Sequence, residues 1–200
     1  MEQTSKITDG YMKEKEKNYD RSEKGSVYRK IEAKELNRDL FAQFERHQVV
    51  GKCWRYVNEE WVIQDDPFID QWSEEDYAFL VKCLKHTIET GGLLEGAFVD
   101  GILKGFVSVE SEPLGKKKNY LDLSCIHVSE EMRGQGIGRT LFLMAAAWAK
   151  EHGGEKLYIS AHSAVETQAF YRSLGCVEAE EYNEEHVKQE PYDCQMEYIL

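Results

Sequence analysis

The feature that most constrains this chain is the segment "RGQGIGRT", residues 133–140, in which glycine occupies three alternate positions. It follows the apolar run "YLDLSCIHV", which is typical of a strand, and precedes a helical pattern that extends from about Gly136 to His152. A strand that passes through glycines into a helix exposes several backbone N–H groups, and the helix dipole adds partial positive charge there. Arg133 and Arg139 add full charges for phosphate oxygens. The segment therefore predicts an anion-binding site.

The residues assigned to this site are Arg133, Gly134, Gln135, Gly136, Ile137, Gly138, Arg139 and Thr140. Two other phosphate motifs do not fit. The dinucleotide fingerprint GxGxxG needs a different glycine spacing. The P-loop GxxxxGK[ST] is longer, and it has Lys at the position where this chain has Arg139. The remaining alternative is a turn that binds nothing. Three alternate glycines lower the stability of the helix, however, and a turn without a ligand would not require them.

Length and composition indicate one globular domain of ordinary soluble type, with 42% hydrophobic and 31% charged residues in 200. The formal net charge of -12 argues against a nucleic-acid partner, because phosphate binding needs a basic face. No apolar run approaches the roughly 18 residues of a membrane span, and the N-terminus has no signal-peptide core, so we expect a cytoplasmic protein without a membrane partner. The five cysteines show no metal-ligand spacing, so we expect no metal.

The order of elements predicts an α/β fold with a mixed, mostly antiparallel sheet and helices on both faces. Residues 1–25 alternate in charge and lack aliphatic side chains, which predicts a disordered tail before a domain at residues 26–200. We expect a strand at 26–33, a helix in "ELNRDLFAQFERH" and a long functional loop over 51–72. A helix capped by "SEED" then precedes two strands joined at Asp100-Gly101.

The C-terminal half is predicted to continue as strand, helix, strand, helix and strand. The strand before the glycines leads into the helix already described, and "KLYIS" is a short strand. "SAVE", residues 163–166, has the spacing of a capping box that opens a helix ending at Gly175. "QMEYIL" is expected to form the last strand.

Two of these segments resemble the GCN5-related N-acetyltransferase (GNAT) superfamily. "RGQGIG" matches its Arg/Gln-x-x-Gly-x-Gly/Ala motif, and "AFYRSLGC" is similar to its later "FYxxxGF" signature, with Cys176 in place of the usual Phe. The similarity extends over about residues 26–200 and is strongest over 121–176.

The resemblance implies a single-domain GNAT fold and acetyl-CoA as co-substrate, with the pyrophosphate on the backbone amides of the glycine segment. It also implies direct acetyl transfer to an amine in a ternary complex. The thioester oxygen would be held by backbone N–H groups around Ile126, His127 and Val128, and Tyr171 would protonate the departing thiolate. A homodimer is a further expectation, since dimers are common in the family.

A base must deprotonate the amine, because an alkyl ammonium has a pKa of about 10.4. Strict strand alternation places Asp122, Ser124, Ile126 and Val128 on one face and His127 on the other, which makes Asp122 the first candidate base. A β-bulge would reverse this parity. His127 is an alternative candidate for the base, and Glu110 is a third candidate.

A cysteine route through Cys125 or Cys176 is a weaker alternative, because neither thiol has a basic residue nearby in the sequence.

The acceptor is expected to be cationic. Eight acidic residues against one lysine lie between Glu178 and Leu200, and acids and aromatics also occur in the 51–72 segment. Carboxylates beside aromatic faces suit ammonium groups, although a solvated acidic face is the plain alternative. The assigned acceptor residues are Trp61, Asp65, Asp66, Trp72, Glu110, Glu185, His186, Glu190 and Asp193. Polyamines, amine-bearing antibiotics, protein lysines and N-termini all remain open, as does a non-catalytic acyl-CoA-binding domain.

Overall fold

Residues 120–128, the apolar run before the glycines, join two four-stranded sheets into one layer in the computed structural model of this protein. The structure describes residues 25–200, so nearly all of the expected N-terminal tail lies outside the described residues. The strands are β1 Ser26–Lys30, β2 His47–Val57, β3 Glu60–Gln71, β4 Leu93–Val99, β5 Ile102–Val109, β6 Tyr120–Asp122, β7 Cys125–Val128, β8 Lys156–Ala161, β9 Val177–Glu178 and β10 Cys194–Ile199. The α-helices are α1 Glu74–Glu89, α2 Ile137–Glu151, α3 Val165–Leu174 and α4 Glu184–Gln189.

The first sheet has the order β1-β4-β5-β7 and the second the order β6-β8-β10-β9. Pairing is antiparallel throughout except between β6 and β8, which run parallel. The predicted mixed, mostly antiparallel α/β fold is confirmed.

Two apolar cores lie on opposite faces of this layer. Helices α2 and α3 cover one face, where Leu141, Phe142 and Ala145 pack against strands including β7 and β8. Helix α1 and a short 3-10 helix at Arg38–Phe41 cover the other face, where Phe41 and Phe106 are completely buried. The two faces therefore present different side chains to anything bound at the sheet, and the face opposite α2 and α3 is the one that carries Asp122 and His127.

The expected loop over 51–72 is wrong, because β2 and β3 form a long antiparallel hairpin there. A two-residue turn at Asn58-Glu59, with both φ angles positive, joins the strands. The alternation was hidden by a bulge between Val50 and Lys52 and by Pro67 within β3. Most side chains of the hairpin are exposed on both faces, so no apolar stripe marks it.

The helix expected in "ELNRDLFAQFERH" is also wrong, because only the 3-10 turn Arg38–Phe41 forms. Leu36, Phe41 and Phe44 are all buried, and their spacing of five and three residues does not describe one helical face. The chain instead turns so that all three side chains enter the core beside α1.

One predicted capping box is confirmed and the other is wrong. Ser73 and Asp76 exchange the two reciprocal hydrogen bonds at the start of α1. At α3 the N-cap is Ala164, without a side-chain hydrogen bond. Ser163 Oγ instead accepts a hydrogen bond from Arg55 Nη1 at 2.6 Å, so the hairpin takes up the hydroxyl that the sequence pattern assigned to the cap.

Candidate active site

The central strand divides where a ligand could enter the sheet. β6 pairs with β8 as far as Asp122, and Leu123 N donates to Tyr158 O at 2.9 Å. Beyond this point β7 pairs only with β5. A gap therefore opens between β7 and the end of β8, directly before the glycine segment.

The break at Leu123–Ser124 reverses the side-chain parity that strict alternation predicts. Ile126 and Val128 pack into the core beneath α2, with Leu121 and Leu123. His127 packs on the opposite face, with its ring 4.6 Å from Trp72 and 5.5 Å from Phe106. The predicted shared face of Asp122, Ile126 and Val128 is therefore wrong, and the bulge accounts for the error.

Backbone hydrogen bonding in β7 leaves two N–H groups free to face the gap. Ser129 N donates to Lys104 O at 2.9 Å, which fixes the antiparallel alternation with β5. By that alternation His127 bonds to β5, whereas Ile126 and Val128 direct their N–H groups away from β5. An oxygen atom in the gap can accept from these two groups.

The glycine segment forms a turn that leaves its amides open. Gly134 and Gly136 have left-handed φ angles of 74° and 89°, which glycine adopts without strain. A Cβ at either position would meet nothing within 4 Å, so the space above the turn is open. Gly136 is the N-cap of α2, and the first N–H bonded into the helix is that of Thr140, 3.0 Å from Gly136 O. Within residues 25–200, no N–H group from position 134 to 139 donates a hydrogen bond.

Arg133 and Arg139 add positive charge around this turn, which the nearby Glu130 and Glu131 offset in part. Arg133 Nε donates to Val128 O at 3.2 Å, which holds the guanidinium beside the end of β7. Partial burial lowers the pKa of Arg133, with the nearby Arg46 charge acting in the same direction. Arg139 is exposed in the first turn of α2, which contains no acidic residue. Gln135 Nε2 donates back to Glu131 O at 3.2 Å and closes the turn.

Gly138 serves packing as well as the turn. A Cβ there would lie 3.3 Å from Phe170 on α3, which is closer than most side chains tolerate, and in ordinary contact with Val128 at 3.6 Å. This glycine therefore brings α2 close to α3 and β7. Ile137, the neighbouring residue, is buried in the same core at 3% exposure.

Tyr171 on α3 approaches the gap from the side of α2. The residue is 6% exposed, and its hydroxyl makes no hydrogen bond to any of the described residues. Burial raises its pKa strongly, and the nearby charge of Asp193 acts in the same direction. The hydroxyl therefore stays protonated at neutral pH and is free to donate.

Asp122 and His186 meet across 64 residues of sequence. His186 Nε2 lies 2.9 Å from Asp122 Oδ2, and its ring stacks on Tyr158 with centroids 5.5 Å apart. The hydrogen bond to Asp122 raises the pKa of His186 above its ordinary value, although partial burial opposes the shift. Asp122 Oδ1 is buried without a partner among the described residues. The pair thus has unused acceptor capacity beside the break in the central strand.

Asp193 extends this cluster. Ser160 Oγ donates to its carboxylate at 3.2 Å. Burial raises the pKa of Asp193 to about 6, and the neighbouring charge of Glu190 acts in the same direction. Glu190 itself is exposed, as is Glu185. Two of the predicted acceptor residues, His186 and Asp193, are therefore brought to Asp122, and the two glutamates line its rim.

A cleft of about 770 Å³ opens beside the cluster, and Tyr158 and Glu185 contribute to its lining. Its lining includes three tyrosines, four glutamates and three lysines: Tyr120, Tyr158, Tyr182, Glu180, Glu181, Glu184, Glu185, Lys116, Lys117 and Lys156. Aromatic faces and carboxylates thus lie together, as the sequence composition suggested.

The hairpin residues assigned to acceptor binding make other contacts, within the hairpin itself. Asp66 forms an ion pair with Arg55, and Asp65 lies 3.6 Å from Lys52 on the neighbouring strand. Trp61 packs on Tyr56, with ring centroids 5.3 Å apart. The charges of Asp65 and Asp66 are therefore paired within the hairpin. Among the described residues, neither carboxylate forms an ion pair with the Asp122 cluster.

Trp72 and Glu110 are placed by other contacts. Trp72 packs edge-on against His127 and Tyr77. Glu110 Oε1 accepts hydrogen bonds from Thr87 and Ser124, each at 2.7 Å. Glu110 therefore supports the break in the strand through Ser124.

The thiols and His127 are unsuited to nucleophilic or basic roles. Burial raises the pKa of Cys125 and that of Cys176 to about 12, so both stay protonated. Burial lowers the pKa of His127 well below its ordinary value, with Arg46 and Arg133 contributing.

Sequence reasoning missed Arg46 and His162, which lie at the mouth of the gap. His162 follows β8, and its ring lies 5.6 Å from that of Phe68 on the hairpin. Arg46 pairs with Asp70 at the other end of the hairpin. Neither residue belongs to a motif, and both reach the site only because the hairpin folds against the end of β8, where Trp54 N donates to Ser163 O.

A split central strand, open amides at a helix N-terminus and a mixed sheet define an acetyltransferase of the GNAT type. The acetyltransferase (GNAT) family model matches residues 53–176, and the chain belongs to this family. The search of the curated proteins found no match. Among the described residues no helix is both long and apolar enough to cross a membrane.

Solved structures with similar folds are acetyltransferases of low sequence identity. A nourseothricin acetyltransferase aligns with a TM-score of 0.63 and 16% identity, covering 88% of this chain and 98% of its own. A putative streptothricin acetyltransferase from Bacillus anthracis, solved with acetyl coenzyme A, gives 0.65 and 17% over the same shares. The PaiA N-acetyltransferase from Thermoplasma acidophilum, solved with coenzyme A, gives 0.55 and 17%, covering 88% and 99%. They support the fold assignment.

Proposed function

We propose that this acetyltransferase moves an acetyl group from acetyl-CoA to a primary amine of a cationic acceptor, by direct transfer in a ternary complex. The observation that carries the proposal is the gap between β7 and β8, which has free N–H groups at Ile126 and Val128, Tyr171 on one side and the Asp122–His186 pair on the other. The acetyl-CoA complex of the Bacillus anthracis relative supports the same co-substrate here.

The glycine segment would hold the pyrophosphate. Amides from Gly134 to Arg139 have no partner within the described chain, and the N-terminus of α2 adds partial positive charge. Arg133 and Arg139 supply full charges on either side. The pantetheine arm would then lie along β7, with the thioester oxygen accepting from Ile126 or Val128.

Proton removal from the amine is assigned to the Asp122–His186 pair. Neutral His186 takes a proton from the acceptor ammonium, and Asp122 stabilises the imidazolium that forms. The free amine attacks the thioester carbon, so that a C–N bond forms and the C–S bond breaks. The nitrogen loses its second proton to solvent as the amide forms, and Tyr171 donates its proton to the departing thiolate. Tyr171 then recovers a proton from solvent, and the His186 imidazolium releases its proton to solvent.

The carboxylates of Asp122, Asp193, Glu185 and Glu190 around His186, together with the Tyr158 ring, support a cationic acceptor. Ammonium groups gain both Coulomb and cation-π terms in such surroundings. Two of the similar structures are named for nourseothricin and streptothricin, so amine-bearing antibiotics of this kind belong in the test alongside polyamines and peptides.

The test is thiol release from acetyl-CoA with a panel of polyamines, aminoglycosides, streptothricin-type antibiotics, amino acids and lysine peptides. Calorimetry measures coenzyme binding separately. Turnover with one class would establish the reaction and identify the acceptor. Binding of acetyl-CoA without turnover across the whole panel would contradict the catalytic proposal and favour an acyl-CoA-binding domain on the same fold.

We also propose a homodimer formed through the β2–β3 hairpin. Val49 and Ile69 lie opposite each other in register and are 67% and 63% exposed. Adjacent apolar side chains left in water support a protein partner at this surface. A second copy of the chain is the partner that we assign.

A further inference from the structure

Arg46 is a buried guanidinium whose hydrogen-bonding capacity is largely unused. Its side chain is only 9% exposed, and Nη2 pairs with Asp70 on the neighbouring strand. Nε and Nη1 are buried without a partner among the described residues. Three N–H hydrogens on a charged group are therefore unsatisfied, which is costly inside a protein unless a ligand completes them.

The backbone around Arg46 is fixed to the end of β7. Glu45 N donates to Ser129 Oγ at 2.9 Å, and Glu130 N donates to Glu45 O at 3.0 Å. The Arg46 guanidinium lies 5.4 Å from the centroid of the Trp72 ring, and Trp72 in turn packs on His127. The guanidinium therefore lies on the face of the sheet that carries Asp122 and His127.

The guanidinium is connected by packing to both sides of the gap, through Trp72 to His127 on β7, and through Asp70 to the hairpin strand whose Phe68 packs on His162 after β8. Its charge lowers the pKa of His127 on β7, of Arg133 in the glycine segment and of His162 after β8. These three groups lie on both sides of the gap, so a molecule bound there would meet Arg46. On the same face of the sheet, Asp122 Oδ1 is a buried acceptor without a partner among the described residues, of opposite charge to Arg46.

A carboxylate of the acceptor fits Arg46 better than a coenzyme phosphate does. The phosphates have their own donors in the exposed glycine segment, whereas Arg46 is buried and already carries one counter-charge from Asp70. Arg46 and Asp70 together are neutral, so a bound carboxylate adds one uncompensated negative charge, whereas a doubly charged phosphate adds two and is repelled more strongly by Asp70.

We infer that Arg46 binds a carboxylate on the acceptor, so that the acetylated amine belongs to an amino acid-like or peptide-like molecule that carries both charges. This inference rests on the proposed function and specifies its substrate class. The ammonium end would lie toward Asp122 and His186, and the carboxylate end toward Arg46, on the same face of the sheet.

The test compares ω-amino acids, from glycine to 6-aminohexanoate, with their amides, which keep the amine and lose the carboxylate. Thiol release gives kcat/KM for each pair, and calorimetry on the protein loaded with coenzyme A gives affinity without turnover. We expect the acid to exceed its amide by about tenfold or more for at least one chain length. The best length reports the distance from the thioester to Arg46.

Variants assign the preference to Arg46. Arg46→Gln should bring the ratio of acid to amide close to one, and Arg46→Lys should keep part of it because charge remains while the planar fork is lost. Asp70→Asn removes the competing carboxylate and should raise the ratio. The matched control is Arg38→Gln, since Arg38 also pairs with a carboxylate, Glu74, and lies over an aromatic ring. That control should leave the ratio unchanged.

Several results would overturn the inference: equal use of acids and amides, no binding by any acid, or a preference that survives Arg46→Gln. Loss of acetyl-CoA affinity in Arg46→Gln, with the ratio intact, would assign Arg46 to the coenzyme and also overturn it. Selective binding of acids without turnover would support the Arg46 site and count against the proposed transfer reaction, so the two failures are distinguishable.

Discussion

At the scale of single residues, Tyr171 gives the sharpest test of the chemistry. Its side chain is largely buried, and its hydroxyl is protonated and makes no hydrogen bond within the described chain. We expect Tyr171→Phe to lower kcat by about 10²-fold or more, the usual size of a general-acid effect, while acetyl-CoA affinity is kept. Steady-state rates and calorimetry measure the two quantities. Tyr198→Phe is the matched control, because Tyr198 packs on the same Phe142 ring. An unchanged kcat in Tyr171→Phe would remove the acid role.

The Asp122–His186 pair predicts a pH dependence. His186 must be neutral to accept a proton, so the rate rises as pH rises through its pKa, which Asp122 holds above the ordinary value of 6.5. Asp122→Asn removes that carboxylate, lowers the pKa of His186 and should move the acidic limb of the kcat profile to lower pH, with a smaller maximum rate. The exposed Asp39→Asn serves as control. An acidic limb that does not move would exclude the pair as the base.

The sequence named Asp122, His186 and Asp193 without indicating that they meet. His186 lies 64 positions after Asp122, and no local pattern encodes a contact of that length. Strand parity, the only local guide, failed at the bulge after Leu123. Arg46 had no signal at all, because a lone arginine before a strand becomes distinctive only when its buried surroundings are known.

At the scale of elements, the turn into α2 should bind the coenzyme through its backbone. Gly136→Asp places a carboxylate and a Cβ where the amides are open, so acetyl-CoA binding should be lost. Gly101→Asp is the control for backbone strain at a positive φ. Gly101 has a φ of 79° and equally open space around a Cβ in the β4–β5 turn. Calorimetry should show near-normal coenzyme affinity for that control. Retained affinity in Gly136→Asp would refute the site.

Elements with a strong local signal were predictable, and the others were not. Helix α1 has a reciprocal cap, and α2 has a clean apolar face, so sequence alone located both. The β2–β3 hairpin has few buried side chains, a bulge and an Asn58-Glu59 turn without glycine, so neither periodicity nor turn chemistry revealed it. That hairpin brings Arg46, Phe68 and Asp70 to the acceptor side, so the least predictable element shapes the least predictable part of the site.

At the scale of the whole molecule, the proposed function assigns coenzyme binding and acceptor binding to different parts of the fold. The glycine segment, α2 and β7 belong to the region in which the family model matches, and the similar structures keep this fold at 16–17% identity. The acceptor side combines the hairpin with α4, which contributes His186 and lies beyond the matched region. A fold can serve many acceptors when its coenzyme-binding part is shared and its acceptor-binding part differs from one protein to the next.

The same hairpin leads to a prediction about assembly. Val49 and Ile69 form an exposed cross-strand pair, and burying them against a second copy would remove this apolar surface from water. Size-exclusion chromatography with light scattering should give twice the 23.2 kDa of one chain. Ile69→Lys should shift the protein to the single-chain mass, because two copies would bring like charges together in an apolar contact. Phe79→Lys is the control, since Phe79 is equally exposed on α1, away from the hairpin. A single-chain mass for the unmodified protein would contradict the dimer.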